Sequence, residues 1–260
     1  MAEKPPRIPG MRRLPLTAAV LTAALVLTGC GSSTTIDDID PSPTPSVESP
    51  QPTTSEESSP ETITVPECEG IVFEEDAAIA GDDLSACVIG FSVAAASGRM
   101  NVIGDGLQGA VEFLYGTEPQ AHVVSQAPPF ELIVTDDGTW LSSAGGWTSG
   151  EEAERIGMLW RGVAQPAVAF AMLAESDYTV TAHETIEHVE GAKVASWRVT
   201  ADGPISVEGV VVESLELWIT GDHVPVRQES VASFAGIRTS LVNEYYDWGA
   251  DISIESPAAG

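Results

Sequence analysis

Cysteine is the residue whose chemistry is most informative in this sequence, which contains three of them. Cys68 and Cys87 lie 19 positions apart in a part of the chain that we expect to be exported. In an oxidising exterior an even pair at this spacing favours a disulfide, and two buried free thiols are the alternative. The pair therefore predicts that the start of the folded domain is tied to the segment around Cys87.

Two short patterns are near matches to functional motifs, but neither has the required context. Residues 104–109 read G-x-G-x-x-G, yet Ala110–Tyr115 predicts a strand where a dinucleotide site needs a helix. His183 and His188 are five positions apart, whereas a zinc-binding helix presents histidines four apart. We interpret the first pattern as a glycine-rich hairpin and the histidines as exposed residues near a strand end. The sequence thus predicts no catalytic residue, no metal site and no cofactor.

The first 29 residues have the three parts of a secretory signal peptide. Leu14–Leu27 is apolar and would span about 21 Å as a helix, which is shorter than a hydrocarbon core of about 30 Å. Thr28 and Gly29 are the small residues that precede a cleavage site. The basic residues before the apolar stretch are Lys4, Arg7, Arg12 and Arg13. A removable leader is therefore favoured over a membrane anchor, with either Met1 or Met11 as its first residue.

The run Leu27-Thr28-Gly29-Cys30 resembles the lipobox of bacterial lipoproteins. The resemblance implies that Cys30 receives a diacylglyceryl group and becomes the first residue of the mature chain. The protein would then be anchored to the extracytoplasmic face of the bacterial cell membrane. An ordinary signal peptide followed by a chance cysteine is the alternative.

The charge of the chain excludes several classes of partner. Residues 1–29 hold four of the 11 basic and one of the 39 acidic residues, so the remainder has 7 basic against 38 acidic side chains and a formal charge of −31. Such a chain is repelled by nucleic acid and by anionic lipid surfaces. The lipid on Cys30 would therefore have to supply the membrane attachment.

The composition divides the mature chain into a linker, one domain and a short tail. Residues 30–66 begin with Cys30 and are rich in Pro, Ser, Thr and Glu, which predicts a disordered linker of about 35 Å mean length. Residues 67–257 form one domain of ordinary size. Residues 258–260 are left as a tail.

The apolar periodicity of the domain predicts an α+β fold in which an antiparallel sheet curls around helices. An Ala-rich helix is expected over 83–97, and two more over 151–164 and 166–174, the first opened by a Ser-x-x-Glu capping box. Ten strands are expected at 100–103, 110–115, 121–125, 130–135, 139–141, 178–187, 193–200, 213–220, 223–234 and 237–248. Asp136-Asp137-Gly138 is expected to form a hairpin turn. The alternation of Leu215, Leu217 and Ile219 with Glu216 and Trp218 predicts one buried and one wet face.

Several short runs in the domain carry a resemblance to a known family. Residues 190–194 read Glu-Gly-Ala-Lys-Val before a strand, and Leu215–Ile219 with Val224–Arg227 resembles a v-x-l-W-i … l-P-v-R hairpin. Residues 246–257 resemble a y-s-d-w-G-x-p-v-x-I-x-x-P ending, and Asp137–Trp140 with Gly146-Trp147 resembles a central g-x-l-y … g-W element. Together these runs resemble those of LolA-like lipoproteins, including the LppX and LprG type.

The resemblance implies a half-barrel of antiparallel strands with helices on its concave side. The space between the sheet and the helices starting at Glu151 and Pro166 would hold a lipid or its acyl chains. The residues expected to line it are Val111, Phe113, Leu132, Val134, Met158, Leu159, Met172, Leu173, Leu215, Leu217 and Ile219. A solid core built from the same side chains is the alternative, because pockets and filled cores use the same residue types.

The sequence therefore favours two functions over an enzymatic one such as a secreted hydrolase. One is a membrane-anchored lipoprotein that binds or carries a lipid. The other is an envelope protein-interaction or sensing module of the RseB-like type, with a filled core. The second is motivated by Trp218 and Trp248, which are expected on wet faces of the sheet.

Overall fold

The computed structural model describes residues 63–257, without 144, 145, 164, 166, 167, 169 and 208, and without the side chains of 159, 161–163 and 190. The predicted signal peptide, Cys30, the linker as far as residue 62 and the tail at 258–260 lie outside the described residues.

Thirteen strands of the described chain form a single antiparallel sheet. In chain order they are β1 (Ala78–Ile79), β2 (Ser97–Gly104), β3 (Leu107–Leu114), β4 (Gln120–Ala127), β5 (Pro129–Thr135), β6 (Gly138–Ser142), β7 (Trp147–Thr148), β8 (Tyr178–Glu187), β9 (Lys193–Ala201), β10 (Ile205–Val207), β11 (Val210–Ile219), β12 (Pro225–Phe234) and β13 (Ile237–Tyr246). Their spatial order is β1-β8-β9-β11-β12-β13-β2-β3-β4-β5-β6-β7, with β10 beside β11. No pairing among these strands joins β1 to β7, so the sheet is not closed.

Two α-helices and three short 3-10 helices accompany the sheet in the described part of the chain. The α-helices are α1 (Gly81–Ala95) and α2 (Glu151–Val163), and the 3-10 helices are Pro66–Cys68, Ala171–Glu175 and Val189–Gly191. The α-helix predicted over 166–174 is wrong at its C-terminal end, where the chain forms the 3-10 helix Ala171–Glu175. Within the described residues, neither helix has the length and apolar character needed to cross a bilayer.

Helix α1 begins and ends two residues earlier than its sequence pattern predicts. The amide of Gly81 donates to Asp177 Oδ1 at 3.2 Å, which satisfies one of the free N–H groups of the first turn. At the other end Ala96 adopts a left-handed conformation with φ of 62° and donates its N–H to Ser92 O. Ser97, the last residue of the predicted helix, already belongs to β2, since the helix ends in an Ala-based left-handed cap.

Turn residues place the main hairpins where the sequence predicts them. Asp136-Asp137 joins β5 to β6, where Thr135 pairs with Gly138. Residues 104–109 form the β2–β3 hairpin, with Gly104 paired to Leu107 around Asp105-Gly106, so the glycine-rich hairpin is confirmed. Antiparallel neighbours with such short turns are the natural consequence of this turn chemistry.

The core lies on one face of the sheet, called here the core face. Successive strand residues point to opposite sides, so β3 presents Val111 and Phe113 to the core and β5 presents Leu132 and Val134. Helix α1 contributes Leu84 and Val88 to the same apolar cluster. The broad prediction of a curled antiparallel α+β fold is therefore confirmed.

The predicted disulfide between Cys68 and Cys87 is present, with an S–S distance of 2.02 Å. It joins the first 3-10 helix to α1 and lies in a second apolar cluster with Val65 and Phe91. Val224, in the β11–β12 turn, packs against this cluster. The entry of the chain into the domain is thereby fixed beside that turn.

Candidate ligand-binding site

Eight of the eleven residues expected to line a pocket are at most 1 % exposed and belong to one apolar cluster on the core face. They are Val111, Phe113, Leu132, Val134, Leu173, Leu215, Leu217 and Ile219. The sheet brings together residues more than 100 positions apart, because β13 pairs with β2 and so joins the two halves of the chain. These side chains form the apolar floor of the candidate site.

The three remaining predicted lining residues have different positions. Met172 is partly buried and packs against the cluster. Met158 is 57 % exposed, so its placement in the pocket lining is wrong. The helix directs Met158 outward, while Ala153 and Trp160 face the core. The side chain of Leu159 lies outside the described residues.

Helix α2 approaches β6 closely enough that a side chain would not fit at one point. A Cβ added to Gly157 would lie 2.5 Å from Thr139 Cγ2 and 2.8 Å from Thr139 Oγ1. Glycine at this position therefore permits the contact between helix and sheet. Ala153 and Trp160, on the same side of α2, join the apolar cluster.

Phe113 belongs to an aromatic group that was not predicted as a group and that lies where β3 and β13 end. Phe113 stacks with Tyr115 at a centroid distance of 4.7 Å, and Tyr245 stacks with Trp248 at 5.7 Å. Trp248 also meets Phe113 edge-on at 5.5 Å. Its exposure on a wet face was therefore wrongly predicted: the indole is half-buried and donates from Nε1 to Pro225 O at 2.8 Å.

Trp218 lies on the outer face of the sheet as predicted, but it is only 5 % exposed. Its Nε1 donates to Glu184 Oε1 at 2.9 Å, and the Arg227 guanidinium lies 5.4 Å from the centre of its ring. Arg198 lies directly opposite Trp218 in the register of β9 and β11. Long side chains of neighbouring strands thus cover the indole, and its predicted exposure is wrong.

Two tyrosine hydroxyls lie within the apolar cluster. Tyr245 Oη donates to Gln228 Oε1 at 3.5 Å, and both side chains are nearly inaccessible. Tyr178 is fully buried, and its Oη has no hydrogen-bond partner among the described residues. Burial raises the pKa of both tyrosines above the ordinary value. An unpaired buried hydroxyl is unfavourable unless something binds to it.

The core face is not fully covered at one end of the sheet. The end with the β2–β3 and β12–β13 turns carries a row of partly buried apolar side chains packed against the cluster, called here the rim. The rim consists of Leu107, Phe130, Val210, Ala232 and Leu241. Each occupies the same face of its strand as deeper core residues, so the apolar face continues to the solvent.

A shallow apolar cleft of about 370 Å³ lies outside this site, between the start of the domain and the outer side of α1. It is lined by Thr64–Glu67 and by Ala86, Ile89, Gly90, Val93 and Ala94. It does not coincide with the space under α2 that the sequence predicts.

The two histidines of the near-zinc pattern make separate local contacts. His183 stacks on Trp197 at 4.3 Å, and His188 Nε2 lies 2.9 Å from Val226 O. Among the described residues, no group of three metal-ligating side chains converges.

Comparison with known proteins yields neither a matching family model nor a matching curated protein.

Proposed function

We propose that this protein is a lipid-anchored extracytoplasmic lipoprotein that binds a lipid or acyl chain between the core face of its sheet and helix α2. The observation that carries the proposal is the continuity of the apolar face, which runs from the buried centre to the rim. In this arrangement the sheet is a LolA-like half-barrel, and the helices cover its concave side. The membrane is the partner at Cys30, and an acyl ligand is the partner at the core face.

The apolar face is suited to acyl chains because one part of it is buried and another part reaches the surface. Phe113, Leu132 and Leu217 are fully buried, while Leu107 and Phe130 on the same face reach the surface. Ligand sites are typically lined by apolar and aromatic side chains with a few polar groups. The hydroxyl of Tyr178 is such a group, since a ligand ester or carboxyl oxygen could accept its proton in a hydrogen bond.

Native mass spectrometry of the Cys30→Ser chain, which cannot be lipidated at that position, tests the proposal. We expect the purified chain to carry a noncovalent lipid adduct that organic extraction removes. Adduct-free protein from a lipid-containing host, which also takes up no added phospholipid, would contradict it.

Two further variants distinguish a ligand space from a solid core. Val111→Phe adds a ring on the core face, where Val111 is 1 % exposed. If the face borders a ligand, the variant should retain its Tm and lose the adduct. Overpacking a solid core should instead lower the stability by about 1–3 kcal/mol. Val124→Phe is the matched control, because Val124 is 43 % exposed on the neighbouring strand.

The alternative of a protein-interaction module has lost the observation that favoured it. Trp218 and Trp248 are covered by neighbouring side chains and do not form an exposed aromatic surface. We therefore propose lipid binding alone.

A further inference from the structure

The turn between β12 and β13 is apolar throughout. Phe234 pairs with Ile237 across Ala235-Gly236, and these two large side chains are 38 % and 50 % exposed. Both turn residues have positive φ, of 49° and 83°, as in the turns that usually carry Asn-Gly. Ala235 adopts a conformation that alanine disfavours. None of the four side chains of the turn has a polar group that could hydrogen-bond with water. We call residues 234–237 the apolar tip.

The apolar tip departs from most other turns of this acidic chain. Five other hairpin turns of the described residues contain a carboxylate, at Asp105, Glu118, Asp136-Asp137, Glu190 and Asp222, and the β4–β5 turn is Ala127-Pro128. An exposed turn is ordinarily polar because its side chains are solvated. Two large apolar residues at the end of a hairpin therefore indicate a contact with something other than water.

The apolar tip also extends past the neighbouring strand on one side. The last pair between β13 and β2 is Leu241 with Gly104, and Ser240 still bonds to Asp105 in the β2–β3 turn, so residues 237–239 extend past β2. On the other side, Phe234 pairs with Val210 at the start of β11. At about 3.3 Å per residue, Ile237 lies about 13 Å farther along the strand than Leu241. Phe234 and Ile237 occupy the same strand faces as Ala232 and Leu241, so the tip prolongs the rim of the core face.

We propose that the apolar tip inserts into the lipid membrane to which Cys30 is anchored, and that it places the rim against that membrane. This inference rests on the anchoring in the proposed function. The surroundings of the tip favour uncharged or zwitterionic lipid over an anionic surface. Arg238 pairs with Glu213 at 2.7 Å, so the basic side chain of the described residues next to the tip is already neutralised. Asp105, which accepts a hydrogen bond from the Ser240 amide, adds a negative charge nearby. Insertion of apolar side chains is then the attraction that remains.

The length of the chain before the domain allows this contact. The described chain starts beside Val224, which directly precedes β12. Phe234 is the last residue of β12. The residues that tether the domain and the apolar tip therefore lie at opposite ends of this strand. The 10 residues of β12 span about 33 Å. Residues 31–62 can extend to about 105 Å, so the tether can reach past the domain to the tip's end.

Because the domain is tethered, the side chains of Phe234 and Ile237 alone are sufficient for the membrane contact. A domain held by a linker of this length meets its own membrane at a millimolar effective concentration. The tip therefore needs to supply only a weak contact, which orients the domain and does not have to recruit it.

The full-length lipidated protein in phosphatidylcholine vesicles provides the test. A single free thiol for an NBD label is introduced by Ala235→Cys, because Cys30 is consumed by the lipid and Cys68–Cys87 by the disulfide. Asp222→Cys is the matched control at the opposite end of the sheet. We expect NBD at 235 to shift to the blue and to be quenched by brominated acyl chains at least threefold more than NBD at 222. Adding Phe234→Asp and Ile237→Asp should abolish the difference, and Val72→Asp, at an exposed apolar site elsewhere, should preserve it.

The outcomes separate this inference from lipid binding at the core face. Equal quenching at 235 and 222 would overturn the membrane contact of the tip, even if the Cys30→Ser chain retains a lipid adduct. A blue shift that depends on protein concentration and not on vesicles would assign the tip to a second copy, and would also overturn it. Failure of the protein to co-sediment with vesicles would refute the anchor and the tip together. Specific quenching at 235 without any lipid adduct would support the tip and contradict the pocket.

Discussion

At the scale of single residues, the most informative side chains are tyrosines, because they bring hydroxyl groups into an apolar core. Tyr178 and Tyr245 are 0 % and 5 % exposed, and the structure pairs only the second with a protein group. Burial of a hydroxyl without a partner costs about 1–3 kcal/mol. If position 178 served only to pack the apolar core, phenylalanine there would make the protein more stable than tyrosine does. The retained hydroxyl is consistent with a bound group in the native protein.

The same burial predicts how the protein responds to alkali. Burial raises the pKa of Tyr115, Tyr178 and Tyr245 above the ordinary value of about 10. The unfolded chain loses these protons first, so the stabilising effect is complete below pH 10 and decreases as the pH rises above it. We expect these three tyrosines to resist ionisation until the protein unfolds.

Absorbance at 295 nm during an alkaline titration measures this behaviour. Phenolate from Tyr115, Tyr178 and Tyr245 should appear together with the loss of near-ultraviolet circular dichroism, whereas denatured protein should titrate smoothly near pH 10. Reversible ionisation of all four tyrosines near pH 10 with the fold intact would contradict the expected burial.

At the scale of elements, the contact between α2 and β6 depends on one missing side chain. Alanine in place of Gly157 gains about 0.5–1 kcal/mol of helix propensity. Its Cβ, however, would lie within 2.8 Å of two Thr139 atoms, and overpacking of this kind costs about 1–3 kcal/mol. We expect Gly157→Ala to lower the stability by about 1 kcal/mol, or the Tm by about 2–4 °C.

Two companion variants test whether the contact between α2 and β6 causes the loss of stability in Gly157→Ala. Thr139→Ser removes the Cγ2 methyl and keeps the hydroxyl, so it should restore part of the stability lost in Gly157→Ala. Gly116→Ala has nothing within 4 Å of its added Cβ and should change the Tm little. An unchanged or higher Tm in Gly157→Ala alone would show that α2 does not press on β6.

Whether an element forms through local or non-local interactions explains whether the sequence could predict it. The hairpins at Asp105-Gly106 and Asp136-Asp137 follow from local turn chemistry and alternation, so they were predicted. Strands β1, β7 and β10 have only two or three residues, and their existence depends on partners elsewhere in the sheet. They were missed because such pairing leaves no periodic signal.

Errors in the candidate site have the same non-local origin. The alternating pattern correctly assigned Leu215 and Leu217 to the core, yet it predicted a wet Trp218. The covering groups, Glu184 and Arg227, come from other strands, and their reach depends on register. Met158 was misplaced because an apolar run on a helix does not show which of its members faces the sheet.

At the scale of the whole molecule, the electrostatics is dominated by an excess of negatively charged side chains. Residues 63–260 hold 31 acidic and seven basic side chains, and Arg99, Arg198, Arg227 and Arg238 already lie within 4.0 Å of carboxylates. These pairs are partly exposed, so each contributes little to stability. The unpaired carboxylates repel one another in the compact state more than in the unfolded chain.

The balance of these two effects predicts that salt stabilises the protein. Salt weakens the few attractive pairs and the much more numerous repulsions together, and the repulsions prevail because most carboxylates have no basic side chain to pair with. The Tm of the Cys30→Ser chain should therefore rise by several degrees between about 10 mM and 200 mM NaCl, and level off once the Debye length falls below about 8 Å. Choline chloride at equal ionic strength should have the same effect, because screening depends on ionic strength and not on the cation. A Tm that falls with salt would show that the pairs around Arg99 and Arg227 outweigh the net repulsion, and a rise specific to one cation would indicate binding instead of screening.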